Sequence, residues 1–194
     1  RKEAVGTENG GLLISLLRAS QDGTRPALPE DVCEWEKLYT LSHRHRVEAV
    51  ICDAVHGRAE FAALPDELKK RFISDARATV AVQSKRFEDF SRIYRKLREK
   101  GLAPLVVKGI SCRRLWKNPD ARPSGDEDLL IRPEWLDDVL AVMEECGLAV
   151  SREGDVVCYS PLSGLTIEIH TSLFPTDSEY FSGFNSYFGT VFAS

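Results

Sequence analysis

The chain has 194 residues, 43% of them hydrophobic, which suits one domain or two small ones with a normal core. A net charge of -4 and a pI near 5.7 argue against a sequence-independent grip on nucleic acid, which needs a basic surface, so nucleic acid is a disfavoured partner. No apolar run approaches the ~18 residues of a membrane span, and the opening Arg1-Lys2-Glu3-Ala4 lacks the apolar core of a signal peptide.

The five cysteines (Cys33, Cys52, Cys112, Cys146 and Cys158) are odd in number, widely spaced and free of any C-x-x-C. They read as reduced thiols of a cytoplasmic protein rather than as a disulfide framework or zinc site. The missing initiator Met suggests a trimmed portion of a longer chain.

The first hundred residues read as helical. Leu12, Leu13, Leu16 and Leu17 have helical spacing, and residues 21–29 form a loop. Pro29-Glu30-Asp31 opens a second helix, carrying Val32, Trp35, Leu38 and Tyr39 and stopping before His43. A third runs through Val47, Val50, Ile51 and Val55 to Gly57. Pro65-Asp66-Glu67 starts a long fourth, with Leu68, Phe72, Phe87, Phe90, Ile93 and Leu97 on its buried stripe and Gly101 as a left-handed cap. The charged run from 85 to 100 reads as that helix's exposed face. His43 and His45, two residues apart on a helix, do not face each other and are expected to pack or cap a helix junction.

Beyond Gly101 the period changes. Residues 103–107 suggest a short strand and 109–117 a short helix. Strand 127–131, helix 133–146 closed by Gly147, and strands 148–151, 156–159 and 165–170 follow. The aromatic stretch 178–192 suggests another helix, and it ends while still apolar. The fold class expected is α+β (mixed α/β). A helical N-terminal domain (1–100) would precede a module with a mixed sheet (101–176), and the start of a truncated C-terminal helical region would follow (177–194).

Chemistry concentrates in that module. Asp126 and Asp128 are two apart where the sequence turns into a strand, so they share a face. Two adjacent carboxylates repel, and a divalent cation is the usual compensation. In Leu165-Thr166-Ile167-Glu168-Ile169-His170, Glu168 and His170 share the face opposite Ile167 and Ile169. If the two strands are neighbours, Asp126, Asp128 and Glu168 converge on a Mg²⁺ site of the phosphoryl-transfer kind. Glu127 should point the other way, solvated or paired. His170 has two open roles, approach to substrate or a hydrogen bond to a carboxylate.

Three segments carry a resemblance: L-V-V-K-G-I (105–110), R-P-S-G-D-E-D-L-L-I-R-P-E (122–134) and I-E-I-H (167–170). Together they resemble a bacterial nucleotidyltransferase family of the DNA polymerase β-type nucleotidyltransferase superfamily, over roughly residues 100–175. The resemblance implies a polymerase β-like sheet flanked by helices. It also implies two Mg²⁺ ions held by Asp126, Asp128 and Glu168, with Glu168 as general base or second-metal ligand.

Gly109 and Ser111 match the superfamily's Gly-Ser signature, where a helix start offers N–H groups and a hydroxyl to phosphates. Here the signature is G-I-S, and the gap to Asp126 is long. Lys108 and Arg122 are the cations best placed for phosphate charge, with Arg113 and Arg114 as further candidates; Arg122 could equally pair with Asp126 or Asp120.

The implied reaction is NTP plus a hydroxyl acceptor giving nucleotidyl-acceptor and pyrophosphate. Two rivals stand beside it: a non-catalytic nucleotide- or partner-binding module of the same fold, and a toxin-like enzyme modifying tRNA or protein. The presence of all three acids favours catalysis.

Overall fold

A computed structural model describes residues 4–152, 156–174 and 178–187, with backbone only for 4–9. The chain divides into two units, Arg1–Ser84 with Arg113–Pro123, and Lys85–Cys112 with Ser124–Ser194. The class is mixed α+β, as expected from the change of period at Gly101.

The first unit holds α1 (Ala4–Asp22), α2 (Val32–Arg44), α3 (Glu48–Val55), the four-residue α4 (Ala59–Ala62) and the first half of α5 (Asp66–Glu99). Asp31 caps α2, accepting a hydrogen bond from the Cys33 amide at 2.9 Å. Helical spacing then delivers Trp35 and Leu38 to a core with Leu16, Ile51, Val55, Phe61 and Phe72.

Helix α2 does not stop before His43 but runs through it to Arg44. The His43 ring stacks on Tyr39, 5.9 Å between centroids, and its Nδ1 lies 3.5 Å from Asp75. The chain breaks only at Arg46, whose φ of 55° leaves helical space. His45 is the C-cap residue, so this histidine pair serves the helix junction.

The second unit is built on a five-stranded sheet in the order β1-β2-β5-β4-β3. The strands are β1 (Leu105–Val106), β2 (Glu127–Leu130), β3 (Ala149–Ser151), β4 (Val156–Tyr159) and β5 (Thr166–His170). Among the described residues β2 and β5 run parallel, and the pairs β1·β2, β3·β4 and β4·β5 are antiparallel. Leu129, Ile131, Ile167 and Ile169 form the buried side of the sheet, in one cluster with Val139, Leu140 and Met143 of α7 (Leu136–Glu145) and Ile93 and Leu97 of α5.

Helices α5 and α7 end alike. Gly101 (φ 77°) and Gly147 (φ 85°) sit where the chain turns left-handed. The next amides reach back, Leu102 to the Leu97 carbonyl and Leu148 to that of Met143, each at 3.0 Å. This pattern satisfies end carbonyls and seats Leu102 and Leu148 in the core.

Two expected elements shrink. The strand expected at 103–107 is two residues long, since Pro104 has no amide for a ladder. The helix expected at 109–117 shortens to α6 (Ile110–Arg113). Asn118 precedes Pro119 and is held extended, and a 3-10 turn, Pro119–Ala121, follows. Among the described residues the aromatic stretch holds α8 (Ser182–Tyr187); the 188–192 part of the expected element lies outside them. The Asn185 side chain ties α8 to the backbone of Phe174 through two bonds, 3.0 and 2.9 Å.

Candidate active site

Strand register assembles the acids. In the parallel β2·β5 pair, Asp128 lies opposite Glu168 and Leu130 opposite His170, while Leu129 and Ile169 pair on the core side. Alternation then puts Asp128, Glu168 and His170 on one face, and Asp126, just before β2, belongs to the same alternate set.

Asp128 is fully buried. Its Oδ1 lies 2.9 Å from the Lys108 ammonium and 3.0 Å from His170 Nε2, which is also 3.7 Å from Glu168 Oε2. The other oxygen, Oδ2, is buried with no hydrogen-bond partner among the described residues. The Asp128 carboxylate that accepts its hydrogen bond holds Lys108 above the ordinary lysine value, and the charges of Asp126 and Glu168 act in the same direction. Lys108 therefore stays cationic at neutral pH, on a stem that is largely exposed.

The loop before β2 is pinned by a residue of the charged run 85–100 on the long helix. Arg86 of α5 donates to the Ser124 carbonyl at 2.7 Å, and the Ser124 hydroxyl donates to the Asp126 carbonyl at 3.1 Å. Gly164, with φ 67°, has the Arg86 Nη2 atom 3.4 Å from where a Cβ would stand. Arg86 thus positions Asp126 through the backbone. No local pattern in the sequence points to it, because its partner lies 38 residues away.

Glu127 is also clearer in the structure. It faces the core side, is buried, and its carboxylate accepts a hydrogen bond from the Ile110 amide at the start of α6. Gly109 makes this approach possible. Its φ is 63°, and a Cβ there would stand 2.7 Å from the Asp126 carbonyl and overlap the Glu127 carboxylate. The Ser111 hydroxyl donates to the Val106 carbonyl at 2.9 Å. The amide of Ile110 and the hydroxyl of Ser111 are therefore committed within the fold, and Lys108 is the exposed cation beside the acids.

The arginines are placed differently. Arg122 belongs to the first unit, at the C-cap of the Pro119–Ala121 turn, with its Nη1 buried and without a hydrogen-bond partner among the described residues. Arg113 is buried in that same unit, where it binds Asp120 at 2.5 Å and the carbonyls of Pro119 and Gln83. It is a structural residue, and it occupies the Asp120 that was a candidate partner for Arg122. Arg114 is exposed.

The donor set fits a divalent cation. Asp128, Glu168 and His170 each offer a ligand atom within 4.8 Å of the others, and the second Asp128 oxygen is buried without a hydrogen-bond partner among the described residues. Among the described residues, no helix is long and apolar enough to cross a membrane.

A family model described as "Uncharacterised nucleotidyltransferase" matches residues 31–189. The chain belongs to that family. Membership supports a general role in nucleotidyl transfer, in line with the resemblance read from residues 105–110, 122–134 and 167–170. No curated protein and no solved structure matches the chain.

Proposed function

We propose that the chain catalyses Mg²⁺-dependent transfer of a nucleoside monophosphate from an NTP to a hydroxyl acceptor, releasing pyrophosphate. The observation that carries this reading is the buried Asp128 carboxylate, in register with Glu168 on the parallel neighbour strand, one oxygen unpartnered and the other on Lys108. Asp126, Asp128 and Glu168 are the residues that would hold Mg²⁺. When bound, the ions neutralise triphosphate charge and make the acceptor hydroxyl more acidic.

Glu168 is partly exposed and serves either as the general base for the hydroxyl proton or as a ligand of the second ion. The acceptor oxygen then forms a bond to the α-phosphorus while the α–β phosphoanhydride P–O bond breaks, and the electron pair leaves with pyrophosphate. Lys108, held protonated by its acidic neighbours and exposed along its stem, moves onto the phosphates and offsets the charge that develops there. Gly109 lets the chain turn under Asp126, which keeps Lys108 against the acids.

The test is incubation of the protein with each α-labelled NTP, Mg²⁺ and a cell extract. Label should pass to an acceptor with wild type and not with Asp128→Ala. Equal labelling by both would remove catalysis from this site, and no labelling by wild type together with NTP binding would favour a non-catalytic module.

A further inference from the structure

We propose that His170 is itself a cation ligand, making Asp128, Glu168 and His170 a mixed nitrogen–oxygen site that takes Mn²⁺ in preference to Mg²⁺. This deepens the reading above and rests on its cation site, but it changes both the ligand set and the metal.

The geometry around Nε2 carries the inference. That atom lies between two carboxylates from adjacent strands, 3.0 Å from Asp128 Oδ1 and 3.7 Å from Glu168 Oε2. Six-coordinate ions with metal–ligand bonds of about 2.1 Å place neighbouring ligands about 3.0 Å apart. The Asp128–His170 pair already has that spacing, and Glu168, whose ligand atom lies within 4.8 Å of both, reaches it by a side-chain movement.

A simple hydrogen bond explains the arrangement less well. Asp128 Oδ1 already has Lys108 at 2.9 Å, whereas Oδ2 is buried and has no hydrogen-bond partner among the described residues. An imidazole present only to satisfy the carboxylate would serve the empty oxygen. Instead it doubles up on the occupied one and turns toward Glu168. Lys108 is the displaceable member of the group: its ammonium places positive charge at the carboxylates, and its exposed stem lets it leave when a cation arrives. As a ligand the ring is neutral, with its proton on Nδ1 and the Nε2 lone pair on the metal.

Chemistry then selects the ion. Carboxylate and water suit both Mg²⁺ and Mn²⁺; Mn²⁺, as a d-block ion, accepts an imidazole nitrogen more readily than the hard Mg²⁺ does. Two carboxylates with one imidazole retain six-coordinate oxygen chemistry and shift the preference toward Mn²⁺.

The experiment uses Mn²⁺ and Mg²⁺ as the probes, without nucleotide. Affinities are measured by calorimetry, and electron spin echo modulation reads the ¹⁴N coupling of a directly bound imidazole to Mn²⁺. Wild type should show that coupling and bind Mn²⁺ about tenfold or more tightly than Mg²⁺. In His170→Gln, which keeps a hydrogen-bonding group, the coupling should vanish and Mn²⁺ affinity fall about tenfold or more, with Mg²⁺ affinity nearly unchanged. His170→Ala should behave alike.

Mn²⁺ bound to wild type without ¹⁴N coupling, or bound equally well by His170→Gln, overturns the proposal while leaving the carboxylate site standing. If wild type binds neither ion and matches Asp128→Asn, the cation site of the proposed function falls as well. The wild-type spectrum decides the ligand question even where a variant fails to fold.

Discussion

Replacing Gly109 by alanine tests how the fold holds the acidic strand. At φ 63° an alanine suffers left-handed strain of about 1–2 kcal/mol, offset in part by about 0.4–1 kcal/mol from a stiffer unfolded chain. The new Cβ would also stand 2.7 Å from the Asp126 carbonyl and overlap the Glu127 carboxylate. To make room, Glu127 must give up its buried bond to the Ile110 amide, worth about 1.5–3 kcal/mol for a charged acceptor.

The net cost is about 2–4 kcal/mol. Gly164→Ala is the internal control, because its φ of 67° is nearly the same and its nearest neighbour, Arg86 Nη2, sits at an ordinary 3.4 Å. That variant should lose only about 1 kcal/mol. In urea, with a slope of about 1–3 kcal/mol per molar, the two midpoints should differ by about 1–2 M, Gly109→Ala being the weaker. Midpoints that coincide would refute the claim that Glu127 is wedged beneath Gly109.

Four other outcomes are expected. Asp128→Asn without divalent cation should be as stable as wild type or up to about 2 kcal/mol more stable, since a buried, half-paired carboxylate is removed; a thermal melt checks this. The same variant should lose the stabilisation that Mg²⁺ and NTP give wild type, read as a missing rise in Tm. Exposed Cys33 should react first with a thiol reagent, whereas Cys52 and Cys158, whose thiols burial pushes up to about 11, should react only on unfolding, as time-resolved labelling would show.

Glu145 is pulled down to about 2 by Lys100 and Lys96. A carboxyl held lower in the folded state contributes above its ordinary 4.5, and that contribution fades as pH falls toward 2. Glu145→Gln should therefore be weaker than wild type at pH 6 and nearly equal to it at pH 2. Urea midpoints at the two pH values read this, and an unchanged gap would deny the ion pairs a role.

Local patterns made much of this legible. Alternation in residues 165–170 separated Ile167 and Ile169 from Glu168 and His170, and the structure keeps that division across β5. Glycines 101 and 147 marked helix ends because only a left-handed residue closes those turns.

Other features depend on partners distant in sequence. Nothing in residues 127–130 announces that the neighbouring strand will be β5 and parallel, because the pairing skips β3 and β4. The alternation of β2 turns Glu127 away from the other acids, but its partner, the Ile110 amide, lies 17 residues earlier and has no local signal. Arg113 looked like a phosphate contact, but Asp120 and two carbonyls consume its donors. Helix α4 spans only four residues, too few for a period to show.

The side-by-side alignment of Asp128 with Glu168 has a wider consequence. The same rung spacing that matches these acids also seats Leu129 against Ile169 under the sheet. Sliding β5 by one position would swap oily and acidic faces together, so reactive geometry and oily packing stand or fall as one. Sequence drift can alter what surrounds these acids, but it cannot shift one acid past the other without unseating the interior.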